Sequence, residues 1–430
     1  MSRNKALAYE SVLQKLNEFD KMPMKLGLER IEKLLENHKS AYKRGGVFHV
    51  AGTNGKGTVA TTIAKILEYN KYSVGLYTSP EIISDRDRIK INGADITKAR
   101  FVARFNSLLP QIEHMISNDE IPTKFEILTA MALTEFHFVN TNFVALEVGL
   151  GGRLDATNIL SDCSNPPQNV KIITNISYDH MEFLGNTLAE IATEKCGIIR
   201  ENSIVISSPT QPNEAMQVIK KICHERNCEL IMPNLNELKN VEMSISGAKF
   251  EYRGMKFRTK LVGNHQIINI ITAIEAVLKM RHNPATILTE EGMYKGIRAV
   301  KIPGRFERID SHPIIFDGAH NKASIQALTN TLKEICVDKI SLIFGAQQDK
   351  EYEEMLEIVA PICERIICVK LKNSRVNGVS AANLKQIASK FCKNVQIASD
   401  VESAIETAKA KLNPVIIAGS LSLLSKGEKS

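Results

Sequence analysis

The sequence predicts an α/β protein: a parallel-sheet domain with a small antiparallel sheet over residues 1–300, then a second α/β domain over residues 301–430. Three features carry that prediction. From residue 47 onward, short apolar, β-branched runs alternate with longer amphipathic stretches. That is the rhythm of parallel strands covered by helices on both faces. Residues 244–262 break it and alternate in the manner of antiparallel hairpins. Beyond Lys301-Ile302-Pro303-Gly304 the rhythm resumes for about 125 residues, an ordinary domain length.

The first strand, residues 47–51, runs into a glycine-rich turn. Its helix covers residues 58–70, with Val59, Ile63, Ile66 and Leu67 at helical spacing. A strand at 74–77 follows, then helices at 98–109 and 125–139. Strands are expected at 143–148, 171–175 and 203–207. The hairpin residues, 244–246, 249–252 and 255–261 around a turn at Arg253-Gly254, form a small sheet attached to the main one. Helical spacing returns over 266–281. In the second domain strands are expected at 313–316, 340–344, 365–369, 394–397 and 414–417, with helices such as 323–335 and 403–412 between them. A site between the two domains is the expectation for such an architecture.

Lysine and arginine number 55 against 48 acids, a net charge of +7 with no run of five or six like charges. A nucleic-acid or membrane patch is therefore not indicated. No stretch reaches the roughly 18 apolar residues of a spanning helix. Residues 1–21 mix charged and apolar residues at helical spacing and lack the apolar core of a signal peptide. Eight cysteines run from Cys163 to Cys392 without a C-x-x-C pair, so reduced core thiols in a cytoplasmic enzyme are expected.

Chemistry concentrates first in Gly52-Thr53-Asn54-Gly55-Lys56-Gly57-Thr58, between a strand and a helix. Its glycines let backbone N–H groups turn inward toward phosphate oxygens, the helix adds its positive end, and Lys56 supplies a full charge. Gly57 separates Lys56 from the Thr58 hydroxyl, so the spacing is not the standard G-x-x-x-x-G-K-[ST]. Glu147 ends an apolar strand, at the carboxyl edge where α/β proteins bind ligands, and its hard oxygens suit Mg²⁺. An asparagine such as Asn269 can offer both donor and acceptor to a base edge. Arg305 carries a fork of donors suited to phosphate.

The Gly52–Thr58 loop resembles that of the folylpolyglutamate synthase and dihydrofolate synthase family within the Mur ligase superfamily. The likeness continues through Lys25–Ile31, Tyr77-Thr78-Ser79-Pro80, Leu146–Asn158, Asp179-His180, Glu194–Ile199 and Gly263-Asn264-His265-Gln266 with Asn269. It extends to Pro303–Glu307, Asp317-Gly318-Ala319-His320-Asn321 and Gly419-Ser420-Leu421. The resemblance implies a P-loop domain followed by a Rossmann-like one. It also implies an ATP- and Mg²⁺-dependent ligase that adds L-glutamate to tetrahydrofolate, to dihydropteroate or to both, by way of an acyl phosphate.

The same likeness implies that Ser79, Glu147 and His180 hold magnesium, and that Lys195 is carbamoylated by CO₂. Asn269 would contact the base, Arg305 the γ-phosphate, and Asp317 and His320 the ribose and phosphates. Lys56, Lys195, His180 and Arg305 form the catalytic set, while Arg88, Phe125, Glu126, Thr129 and Ser420 are the substrate-side candidates. The sequence departs from the family at Glu81 and Asp85, where histidine and an aromatic residue are common, at Cys196, where a small residue is common, and at Asn373-Ser374-Arg375. A Mur-type ligase acting on another carboxylate, and a non-catalytic nucleotide-binding relative, stand as alternatives. No nucleic-acid or membrane partner is expected, and a monomer is.

Overall fold

The computed structural model describes residues 7–21, 25–41, 46–160, 169–280, 287–309, 314–337, 339–371, 377–409 and 413–424. Cys163, the Asn373-Ser374-Arg375 segment and the expected ends at Arg281, Pro313 and Leu412 lie outside these residues.

The main sheet has eight strands: β1 (Val47–Ala51), β2 (Val74–Tyr77), β3 (Ile89–Ile91), β4 (Ala94–Asp95), β5 (Phe143–Glu147), β6 (Val170–Ile173), β7 (Ile204–Ser207) and β8 (Glu229–Ile231). Their order is β4-β3-β2-β5-β1-β6-β7-β8. All pairs are parallel except the edge hairpin, where β3 pairs antiparallel with β2 and β4. Strand β1 lies between β5 and β6 and is buried at all five positions, which explains its continuous apolar run around His49. The chain leaves β1 toward β2 on one side, and leaves β5 toward β6 on the other. That reversal opens a crevice at the carboxyl ends of these strands, where α/β sheets take ligands.

The Lys56–Tyr69 helix buries Val59, Ile63, Ile66 and Leu67, the residues whose spacing predicts it. Gly296, in the Glu290–Ala299 helix, lets that helix approach closely: a Cβ there would sit 2.6 Å from Ile66 Cα. The Lys98–Ser117 helix runs past its expected end and through Pro110. Proline removes one backbone bond, at a cost of ~3 kcal/mol in an ideal interior. Beyond it Ile112 and Met115 continue the buried stripe of Leu108 and Leu109, and burying such side chains is worth roughly 1.5–3 kcal/mol each.

Strands β9 (Leu238–Ser244), β10 (Gly247–Tyr252) and β11 (Met255–Thr259) form the antiparallel sheet. Then β12 (Glu307–Arg308), β13 (Ile314–Phe316), β14 (Ile340–Phe344), β15 (Cys363–Cys368), β16 (Val395–Ile397) and β17 (Val415–Ala418) build a sheet ordered β12-β13-β17-β14-β15-β16. It is parallel except at β12–β13.

The chain divides into two compact units: Met1–Glu237 with Ile268–Ala299, and Leu238–Ile267 with Val300–Ser430. The small sheet therefore groups with the second unit by its packing, whereas the sequence expectation counts residues 238–267 with the first domain. Ile245 shows why, since it packs into the apolar cluster of Val262, Phe306 and Ile315. Among the described residues, seven cysteines are free and no helix is long and apolar enough to cross a membrane.

Candidate active site

In the first unit the turn after β1 is built to be tight. Gly52 has φ 143° and Gly55 φ 90°, both in the region that favours glycine. A Cβ on Gly55 would lie 2.4 Å from Asn269 Oδ1, and one on Gly57 would lie 3.2 Å from Glu147 Oε2. The loop backbone thus passes directly against the side chains expected to read base and metal. Thr53 and Asn54 donate their amides to the Asn175 carbonyl, and Thr53 Oγ1 donates to the Ser177 carbonyl. Gly55 starts the Lys56–Tyr69 helix without a side-chain cap.

Lys56 Nζ folds back onto the Gly52 and Thr53 carbonyls, at 3.2 and 3.1 Å. Lys195, in the last turn of the Leu188–Cys196 helix, donates to the same Gly52 carbonyl at 2.9 Å and is 4% exposed. Burial, reinforced by the Lys56 charge and opposed by Asp179, pulls its ammonium down to about 7. Glu147 is buried and accepts the Ser79 amide at 3.0 Å, so two of the three expected metal ligands adjoin. Along the chain, His180 is further from the sheet than the other two. It lies seven residues past β6, in a left-handed conformation before the short Met181–Leu184 helix, with Nε2 3.8 Å from Asp179 Oδ1.

Asp155 escaped assignment from sequence although it lies within the Leu146–Asn158 segment. Its Oδ2 accepts the amides of Gly149 and Leu150, and its Oδ1 accepts the amide and hydroxyl of Thr157. This carboxylate holds the glycine-rich turn that follows Glu147. Burial raises its pKa, and these four bonds oppose the rise. Because the Thr157 hydroxyl donates to Asp155, it accepts from His49 Nε2 at 2.9 Å, which fixes the tautomer of that buried histidine.

The substrate-side candidates separate into two kinds. Tyr77, Arg88, Phe125 and Thr129 come together: Thr129 Oγ1 meets the Tyr77 hydroxyl at 3.2 Å, and the Tyr77 and Phe125 rings lie 6.0 Å apart. Phe125 covers Gly149, where a Cβ would sit 2.5 Å from the ring. Burial, partly offset by Arg88, pushes the Tyr77 phenol up to about 12. Glu126 instead serves the fold. It closes a capping box with Thr123 and pairs with Arg30 at 2.9 Å.

In the second unit, Asp317 follows β13. Its two oxygens accept the amides of Phe306 and Ala319, both at 2.9 Å, so it shapes the Gly304–Phe306 turn that carries Arg305. Burial raises its pKa and Arg305 opposes the rise. His320 Nδ1 contacts the Gly318 carbonyl at 2.8 Å, so that nitrogen carries the proton. Ser420 is buried, and its hydroxyl accepts the Ser422 amide.

Comparison with known proteins gives the family. Residues 50–277 match the Mur ligase middle domain, and residues 304–421 match the Mur ligase glutamate ligase domain. The dihydrofolate synthase/folylpolyglutamate synthase of Bacillus subtilis is 33% identical, covering 97% of this chain and 98% of its own. This chain belongs to the folylpolyglutamate synthase/dihydrofolate synthase family of Mur ligases.

Solved Mur ligases share its fold. An E. coli FolC structure in complex with DHPP and ADP has a TM-score of 0.83 at 28% identity, covering 97% of this chain and 96% of its own. A bifunctional folylpolyglutamate synthase/dihydrofolate synthase with Mn, AMPPNP and L-glutamate bound has a TM-score of 0.80 at 29% identity, with 98% of each chain covered. As a member of this Mur ligase family the chain is an enzyme, an ATP-dependent ligase. Among the described residues no three His, Cys, Asp or Glu side chains cluster as a metal cage. A ligase that binds its cation through phosphate oxygens and water needs none, and the Ser79–Glu147 pair offers the hard oxygens Mg²⁺ prefers.

Proposed function

We propose that this chain adds L-glutamate to a folate-type carboxylate, tetrahydrofolate or dihydropteroate, at the expense of ATP. One observation carries the reading: Lys56 and Lys195 converge on the Gly52 carbonyl of a phosphate-type loop whose Gly57 faces the Glu147 carboxylate. In the proposed reaction a carboxylate oxygen of the acceptor attacks the γ-phosphorus and ADP leaves, giving an acyl phosphate. The amine of glutamate then attacks the acyl carbon. Phosphate leaves, the nitrogen loses a proton, and an amide remains.

Both partners of the first step are anions, so charge neutralisation dominates the barrier. Lys56 supplies one fixed positive charge, and loop amides supply dipoles. A bound magnesium, held by Ser79 and Glu147 with His180 as the third expected ligand, would supply further positive charge at the phosphates. Asn269, packed against Gly55, is proposed to read the base. Arg305, Asp317 and His320 are proposed nucleotide contacts, and Ser420 a substrate contact. Arg88, Phe125 and Thr129 are proposed to hold the acceptor, with Glu126 acting through the helix it caps. The second step requires no protein nucleophile.

Lys195 is proposed to react with CO₂. Its amine nitrogen adds to the carbon and releases a proton, which turns a buried cation into a carboxylate. The depressed pKa supports this, because only the neutral amine adds. The acids at positions 81 and 85 do not repel an anionic substrate: Glu81 pairs with Arg88 and Asp85 with Lys124. A cytoplasmic, monomeric enzyme completes the reading.

The test offers ATP, Mg²⁺ and glutamate with dihydropteroate or tetrahydrofolate in turn, following phosphate release and product mass. At least one of the two acceptors should gain a glutamate residue in step with phosphate. Phosphate release that neither acceptor stimulates would overturn the folate assignment.

A further inference from the structure

Two acids in the loop after β2 face cations, but in different ways. Asp85 is buried with Lys124, Nζ to Oδ1 at 2.9 Å, and the pair is enclosed on both sides. Glu81 stays 26% exposed while its partner Arg88 is 3% exposed. Arg88 spends a terminal nitrogen on Glu81, and its Nε–H has no hydrogen-bond partner among the described residues. Leaving such a donor buried and unmet costs about 1–3 kcal/mol, so the position favours an arriving acceptor. The pair therefore offers an N–H donor beside a carboxylate acceptor, next to the Tyr77 and Phe125 rings.

A 4-oxopteridine ring presents the complement along one edge: a C4 carbonyl that accepts, beside an N3–H that donates. A 4-amino ring inverts both, with an amino donor beside an unprotonated N3. We propose that Glu81 and Arg88 together read this lactam edge, and that Glu81 is the residue that sets the preference for 4-oxo acceptors. The inference deepens the folate-type reading above and rests on it. Glu81 takes no part in the bond-making steps. It selects which ring is held while the distant carboxylate reacts. The selection follows from pairing, since a site built around donor and acceptor rejects a partner that leaves them facing their own kind.

The experiment compares kcat/KM for matched pteroyl acceptors with 4-oxo and 4-amino rings, in wild type, Glu81→Gln and Glu81→Asp, with a thermal melt of each. Glutamine can turn its amide to donate to an unprotonated N3. E81Q should therefore lower the 4-oxo over 4-amino ratio at least tenfold, chiefly through KM for the 4-oxo acceptor, while KM for ATP stays put. E81D keeps the carboxylate and should keep the preference. A ratio in E81Q within twofold of wild type would overturn the proposal. So would an equal loss on both acceptors accompanied by a lowered melting temperature, which marks a purely structural partner of Arg88. Wild-type turnover of neither ring would overturn the folate-type reading itself, and with it this inference.

Discussion

Lys195 concentrates the residue-scale question. An ordinary lysine titrates near 10.4, so at neutral pH only about one amine in 2,500 is neutral. With its ammonium pulled down to about 7 by burial and by Lys56, roughly half the Lys195 amines are neutral at pH 7 and about one in ten at pH 6. Because the folded value lies below the unfolded one, the unfolded chain binds the extra proton between these values. Stability attributable to this side chain therefore rises with pH from about 7 upward, and the full cost of burying the charge is felt below 7. Carbamate formation follows the neutral fraction. In ¹³CO₂-saturated buffer a carbamate carbon signal should appear at pH 8, shrink several-fold by pH 6, and be absent from Lys195→Met at every pH. A Met variant that keeps the signal would place the modification on another residue.

Among elements, the turn between β5 and the Ala156–Ile159 helical turn shows how much of the site hangs on one carboxylate. Asp155 accepts three backbone or side-chain bonds from its own turn besides the Gly149 amide. Asp155→Asn keeps the shape but turns an NH₂ toward donors on one side. It should cost about 1–3 kcal/mol, read as a lower urea midpoint with unchanged slope. An unchanged midpoint would show that the turn holds itself. This element also marks the limit of what the sequence disclosed. The Gly52–Thr58 loop, Glu147 and the strands around them were legible because each is contiguous, with its glycines and apolar run side by side. Pairings made only by folding were not: Asp155 with the amides behind it, Glu126 with Arg30, Asp85 with Lys124, Ile245 with the second unit's core. The Lys98–Ser117 helix passed Pro110 for a related reason, since its buried stripe outweighs a local rule.

At the scale of the whole molecule, the two units give ligand binding a spatial signature. Every residue of the proposed phosphate loop, together with Ser79, Glu147, Lys195 and Asn269, belongs to the unit formed by Met1–Glu237 and Ile268–Ala299. A ligand that binds only the native state stabilises it by RT ln(1 + [L]/Kd), about 2.7 kcal/mol at a hundred times Kd. ATP with Mg²⁺ at that excess should therefore raise the melting temperature. In hydrogen exchange it should slow the amides of the Gly52–Thr58 loop and the Lys56–Tyr69 helix first. Lys56→Ala removes a side chain that is only partly buried and folded back on its own loop, so the unliganded melt should change little. The ATP-induced rise should nonetheless fall by most of its size, because the fixed charge facing the triphosphate is gone while the fold is not. Omitting Mg²⁺ from wild type should shrink the rise as well. If Lys56→Ala retained the full rise and the same pattern of slowed exchange, the loop after β1 would not be where the triphosphate is held. The convergence of Lys56 and Lys195 on the Gly52 carbonyl would then be a device of folding alone.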